Sequence, residues 1–337
     1  MRKITAGLVA LGAAASLTLA ACSSAAPQPA PSGQNTSAAP TDAPSTGEKP
    51  YIAIVSKGFQ HQFWQAVKKG AEQQAEKEGV TISFEGPATE AEVENQMTML
   101  TNALAKKPAA LGFAALDSKV AVPVLEQFKS AGIPVVAFDS GVESDIPVAT
   151  AATDNKAAAA EAAKHMCELI GDSGSVGVMV HDQVSVTGQE RRDGFIEQMK
   201  TSCPNVKVLE PQYGKGDPNL SADIASSIIE ANKDLKGIFL ANEGTAIGGI
   251  KAAQQKGVVG KLVLIGFDSG TDQMNAIKDG TMAGAVTQNP IGIGEQVVAA
   301  AVKTLKGETV PKVIDTGYYW YDKTNIDDPQ IQAVLYE

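Results

Sequence analysis

Residues 137–141 read Ala-Phe-Asp-Ser-Gly and residues 266–270 read Gly-Phe-Asp-Ser-Gly, each directly after an apolar run: Ile133-Pro-Val-Val before the first, Leu262-Val-Leu-Ile before the second. A short β-branched run closed by Asp-Ser-Gly reads as a buried parallel strand whose carboxyl end delivers an acid and then turns. Asp139 and Asp268 thus hold equivalent places, 129 residues apart. In open α/β sheets ligands bind beyond the carboxyl ends of the strands, so the repeat predicts two similar lobes facing one ligand.

The surrounding sequence keeps the same rhythm. Apolar runs at 51–55, 81–85, 110–113 and 134–138 read as strands, with amphipathic helices at 62–78 and 90–106 and a further helix before the last strand. A second set places strands at 175–180, 206–209, 237–240, 262–267 and 283–287 and helices at 156–170, 187–200, 217–232, 244–256 and 291–306, with 313–319 extending toward an irregular end. Strand and helix in alternation mean parallel βαβ units, so the fold class is α/β, with two doubly wound parallel-sheet lobes. Thr153-Asp154-Asn155 marks a point where the chain crosses between them.

The N-terminus is of another kind. Met1-Arg-Lys is followed by eighteen uncharged residues and then Cys22, a basic head and an apolar stretch ending in small residues, which reads as an export signal over 1–21. No basic stop-transfer cluster follows. Leu19-Ala20-Ala21-Cys22 resembles the bacterial lipobox, which makes Cys22 the acylated first residue of the mature chain. Residues 22–49, rich in Ala, Pro, Ser and Thr, carry too little apolar surface to fold and read as a flexible tether from that lipid.

Without Arg2 and Lys3 the mature chain holds 26 basic against 38 acidic residues, a formal charge of −12. Such a surface repels phosphate backbones and excludes a nucleic acid partner. Cys167 and Cys203 form an even pair that an exported protein can bridge, while Cys167, on an Ala-rich helix, also suits a buried free thiol. His61, His165 and His181 are scattered without ligand spacing, so no metal site is expected, and no cofactor. Gly171-x-x-Gly-x-x-Gly177 precedes a strand, unlike a dinucleotide fingerprint, 244–251 lacks Walker A spacing, and there is no Gly-x-Ser-x-Gly elbow.

In order along the chain come Ile54-Val-Ser, His61-Gln-Phe-Trp64, Phe138-Asp139, Arg191-Arg-Asp-Gly-Phe195, Phe239-Leu-Ala-Asn242-Glu243, Gly266-Phe-Asp268 and Gln288. Over about residues 50–320 this series resembles the periplasmic sugar-binding proteins of the ribose and galactose type, the ligand-capturing subunits of ABC importers. The resemblance implies a type I periplasmic-binding-protein-like fold with two further crossings, near Gln288-Asn289-Pro290 and Thr316-Gly317, which together make a hinge. The lobes are then 50–153 plus 289–316 and 154–288 plus 317–337. It also implies ligand contacts from His61, Phe63, Trp64, Asp139, Ser140, Arg191, Asn242, Asp268 and Gln288. Ser140 stands where ribose binders usually have Arg and His61 where an Asn is common, so specificity is expected to differ at Ser140.

The residue types suit that chemistry. A sugar is an array of hydroxyls with apolar C–H faces, and it asks for carboxylates, amides and a stacking ring. Each residue also has a plainer use: Phe63 shares a helical face with Val67 and Ala71, which favours Trp64 as the platform; Asp139 and Asp268 could be helix N-caps; Arg191 could be solvated beside Arg192; Asn242 could cap the following helix. The expected function is capture of a sugar or polyol by an exported, lipid-anchored, monomeric protein at the outer face of the cytoplasmic membrane, for an ABC permease. The alternative is a receptor subunit for chemotaxis or quorum signalling using the same cleft. An enzyme is disfavoured by the lack of an acid/base pair, and a repressor by the export signal and the charge.

Overall fold

The computed structural model describes residues 49–336; the export signal, Cys22 and the tether as far as residue 48 lie outside the described residues. The first lobe is built from β1 (Tyr51–Val55), α1 (Gln62–Glu78), β2 (Thr81–Glu85), α2 (Val93–Ala105), β3 (Ala110–Phe113), α3 (Val122–Ser130), β4 (Val135–Phe138) and β5 (Ala149–Ala152). The second follows with α4 (Asn155–Ile170), β6 (Ser175–Val180), α5 (Val186–Ser202), β7 (Lys207–Val208), β8 (Gln212–Tyr213), α6 (Pro218–Ala231), β9 (Leu235–Leu240), α7 (Glu243–Lys256), β10 (Val263–Phe267), α8 (Thr271–Asp279) and β11 (Gly284–Gln288). The chain closes with α9 (Pro290–Leu305), β12 (Val313–Asp315), β13 (Tyr318–Asp322) and α10 (Pro329–Gln332).

One sheet runs β12-β5-β4-β3-β1-β2 and is parallel throughout; the other runs β13-β11-β10-β9-β6-β7, parallel except where β13 pairs antiparallel with β11. Both faces of each sheet are covered, which is why the strands read as continuous apolar runs. In β1, Ile52 and Ile54 pack with Trp64 and Val67 of α1 and Val297 of α9, while Ala53 and Val55 pack with Leu100 of α2 and Phe128 of α3. α1 and α9 approach so closely that a Cβ on Gly70 would meet the Ile291 carbonyl and one on Gly294 the Val67 carbonyl. On the second sheet, Ala159, Ala163 and Met166 of α4 pack with Phe195 of α5 on one face; α6, α7 and α8 cover the other.

The chain passes from the first sheet to the second between Ala152 and Asn155, returns between Gln288 and Pro290, and passes again between Asp315 and Tyr318. Thr153 Oγ1 donates to the Gly317 carbonyl at 3.3 Å and Thr316 N–H to the Ala152 carbonyl at 3.1 Å, so two of these passages are joined. Tyr336, in the segment expected with the second lobe, packs its ring in the first lobe's cluster, while its hydroxyl accepts from Ser269 N–H at 3.1 Å. β5, β13 and α8 were not expected: β5 is an Ala/Thr run between two neighbours, and α8 carries few apolar residues beyond Met274 and Ile277. Cys167 and Cys203 are joined in a disulfide, which ties the end of α4 to the end of α5. Among the described residues no helix is long and apolar enough to cross a membrane, and no cluster of His, Cys, Asp and Glu could hold a metal ion.

Candidate functional site

The two Phe-Asp-Ser-Gly copies end β4 and β10, and in both the aspartate is left-handed, with φ of 55° at Asp139 and 81° at Asp268. Non-glycine residues reach that region only at a cost of about 1–3 kcal/mol, and they gather at binding sites. The turn has a use. It swings each carboxylate off the strand end into the cleft and sends the following serine back into the protein. Neither aspartate is a helix N-cap; α8 begins behind Gly270.

The cavity between the lobes is tight, about 20 Å³, well below the roughly 300–1,000 Å³ range of ligand pockets, so the lobes must part to admit a larger ligand. It is lined by Lys57, His61, Phe63, Trp64, Glu90, Asp139, His181, Thr187, Arg191, Asn242, Asp268 and Gln288. Eight of the nine expected contacts are therefore brought together. Ser140 is the exception and needs correction as a specificity position: it is fully buried behind Asp139, its N–H donating to the Phe138 carbonyl at 2.6 Å and its carbonyl accepting from Ala115 N–H at 3.0 Å.

Most of these side chains are held by other protein groups. Asp268 Oδ1 accepts from Gln288 Nε2 at 2.7 Å and Oδ2 from Glu243 N–H at 2.9 Å, with Arg191 Nη1 at 3.9 Å. Arg191 donates through Nε to Asn155 Oδ1 at 2.8 Å and through Nη1 to the Ala241 carbonyl at 2.9 Å, and its guanidinium lies 3.7 Å over the Phe267 ring. It is buried, not solvated beside Arg192. Asn242 does cap α7, accepting from Thr245 N–H at 3.0 Å, so Nδ2 is the donor it can offer the cleft. Phe63 and Trp64 meet edge to face at 4.9 Å, and Trp64 Nε1 donates to Glu90 Oε1 at 2.8 Å. Both rings line the cavity while belonging to the first lobe's core.

Burial pushes the Asp139 carboxyl up to about 6, with the Lys57 and Arg191 cations opposing the rise. Burial would also raise Glu90, but Lys57, His61 and His181 outweigh it and hold that carboxyl below its usual range. Burial, and then the Lys57 cation, keep His181 well below the ordinary imidazole range and hence neutral.

Lys57, Glu90, His181 and Thr187 complete the wall and were missed from the sequence. Lys57 lies just past β1 and His181 directly follows β6, so the strand-end rule that marked Asp139 points to them as well. Glu90 sits in the loop before α2, at a place read as helix start, and carries no comparable signal.

The lobes are also bridged outside the cavity. The Glu243 carboxylate at the start of α7 accepts from Gln62 N–H at 3.0 Å and Phe63 N–H at 3.1 Å, which caps α1 from the opposite lobe. Gln62 and Thr271 exchange two hydrogen bonds, at 2.8 and 3.1 Å, and Gln60 Nε2 donates to the Gly216 carbonyl at 3.0 Å. Two parallel-sheet lobes closed across a polar cavity, with three passages of chain behind it, define a hinged ligand-binding protein of the type I periplasmic fold.

The family described as periplasmic binding protein domain matches residues 52–309, and the chain belongs to it. It is 27% identical over 269 residues to the D-allose-binding periplasmic protein of Escherichia coli K12, covering 77% of this chain and 86% of that protein. Among solved structures it resembles an ABC transporter solute-binding protein from Agrobacterium vitis with bound D-fucose, at 38% identity and TM-score 0.82, covering 85% of this chain and all of that one. A second solute-binding protein from the same organism, bound with α-D-tagatopyranose, is 30% identical with TM-score 0.83, covering 86% and 100%.

Proposed function

We propose that this chain captures a monosaccharide between its lobes and delivers it to an ABC importer. The observation that carries this is the facing pair of left-handed aspartates in a closed polar cavity, with Arg191, Asn242 and Gln288 between them and the Phe63 and Trp64 rings at one wall. Carboxylates accept from sugar hydroxyls, Arg191 donates to sugar oxygens, and the rings cover the apolar C–H face. Two cations, Lys57 and Arg191, stand among three carboxyls, Glu90, Asp139 and Asp268. That near balance suits a neutral sugar over a phosphorylated or acidic one.

Ligand joins the lobes through both halves of the wall and so favours the closed form, which the Glu243 and Gln62 bridges then hold. Cys22 carries the lipid that keeps the protein at the outer face of the cytoplasmic membrane, the tether over 22–49 gives it reach, and it works as a monomer. The lobes move as 50–153 plus 289–316 against 154–288 plus 317–337. The sugar leaves the cleft unchanged. The names of its structural relatives, which speak of an ABC transporter, favour delivery over signalling.

Calorimetry with D-allose, D-fucose, D-tagatose and D-ribose tests the reading. Submillimolar binding of at least one, recovered intact from the complex, is the expected result; a chain that binds none of them, or that converts the bound sugar, overturns it.

A further inference from the structure

One part of the wall lies outside the contacts expected from the sequence. Lys57 comes from the first lobe, and Thr187 and His181 from the second, at the start of α5 and the end of β6. Lys57 Nζ donates to Thr187 Oγ1 at 3.2 Å, and Thr187 Oγ1 lies 3.1 Å from His181 Nε2. An ammonium can only donate, so one lone pair of the threonine oxygen is taken and its own proton has to go elsewhere.

Two acceptors are in reach, His181 Nε2 and, at 3.3 Å, Ser185 Oγ. Ser185 Oγ already accepts from Gly188 N–H at 3.1 Å and donates to Asp182 Oδ2 at 2.8 Å. The imidazole nitrogen is nearer and less committed. With the proton on Nε2 instead, the ring would donate to Thr187 Oγ1 at 3.1 Å or Ser185 Oγ at 3.4 Å, and Thr187 would have to pass its own proton to Ser185 Oγ, which is already bonded twice. A neutral imidazole with Nε2 as acceptor carries its proton on Nδ1. His181 is 2% exposed and lines the cavity, and its Nδ1 is buried without a protein partner among the described residues.

We propose that His181 is a specificity-determining ligand contact, its Nδ1–H fixed by the Lys57–Thr187–His181 relay as a donor to an oxygen of the bound sugar. The inference rests on the sugar-binding reading above and adds one requirement to it: the sugar must present a ring or hydroxyl oxygen at this wall. Because Lys57 reaches Thr187 only across the cleft, the relay is complete only in the closed form. Closure and recognition of that oxygen are thus one event.

The test takes the member of the four-sugar panel that binds best to the unmodified chain and measures its affinity for three variants. His181→Leu, which keeps bulk and loses the donor, is expected to bind about tenfold more weakly or worse. His181→Asn, whose amide nitrogen falls near the place of Nδ1, should bind within about threefold of the unmodified chain, and Thr187→Val should fall between. Nitrogen-15 NMR of the unmodified, sugar-loaded protein needs no substitution and should show a neutral His181 protonated on Nδ1. An unchanged affinity in His181→Leu, or a loaded protein whose His181 carries its proton on Nε2, overturns the inference while leaving sugar binding in place. A chain that binds no sugar of the panel removes the proposed function, and this contact with it.

Discussion

Asp139→Asn should make the sugar-free protein more stable and a poorer binder. The carboxyl is buried and its pKa rises from 3.8 to about 6 in the fold. A folded pKa above the unfolded one means that stability from this group is fully present below about pH 4 and is lost as pH rises through 6. About two units at 1.36 kcal/mol each make a penalty of about 3 kcal/mol at neutral pH, which an amide does not incur. Asparagine also tolerates the left-handed backbone at φ 55° better than most residues. Urea unfolding at about pH 7.5 should therefore show the variant ahead by about 3 kcal/mol, and at about pH 5, where the native carboxyl is mostly protonated, by about half of that. In calorimetry the same variant should lose an order of magnitude or more in sugar affinity, because the carboxylate's charge-assisted bonds to hydroxyls are gone. A variant no more stable than the parent at pH 7.5, or a gap that does not narrow at pH 5, would refute the view that the binding site holds Asp139 ionised at the expense of the fold.

Other consequences can be checked alongside it. Asp268→Ala should cost at least an order of magnitude in affinity and also free Gln288 Nε2 and Glu243 N–H, so calorimetry should show a larger loss than for Asp139→Asn. Glu243→Gln touches no cavity wall but removes the charged cap that α1 receives from the other lobe; affinity should fall severalfold, with the sugar-bound state less compact in small-angle scattering, and an unchanged Kd would argue against the bridge. Trp64→Ala, at a residue 1% exposed, should destabilise the fold by about 3–5 kcal/mol as well as weaken binding, whereas Trp64→Phe isolates the bond to Glu90; equilibrium unfolding of both separates core from site. Replacing Cys203 by Ser should lower unfolding free energy by about 2–4 kcal/mol with little change in sugar affinity, since the bridge ties α4 to α5 away from the cleft.

Much of this site was legible before any coordinates, because its residues sit at strand ends and strand ends are marked by periodicity. Asp139, Asp268, Asn242 and Gln288 each follow or close an apolar run, and Arg191 lies on a helix facing the same end. Trp64 was read too simply: it lines the cavity, yet it is also core, held by Glu90 from a loop 26 residues on. Ser140 was misplaced because a left-handed residue reverses which side chain faces out, and no local pattern announces positive φ at an aspartate. Glu90 and Glu243 act across long stretches of chain, on Trp64 and on the α1 N-terminus, and such pairings leave no trace in spacing.

By itself the sequence determined the parallel α/β lobes, the duplication that faces two acids across a cleft, and the polar and aromatic stock of the wall. Those are local matters: burial on both sheet faces demands continuous apolar strands, and a strand must end in a turn that exposes something. The tertiary structure alone decided that Lys57 meets Thr187, that Glu243 caps α1, that Cys167 and Cys203 are joined, and that His181 presents an unpartnered nitrogen. Each of these depends on how two separately packed sheets are set against each other and how helices dock on them, and that is fixed by long-range packing instead of by the order of neighbouring residues.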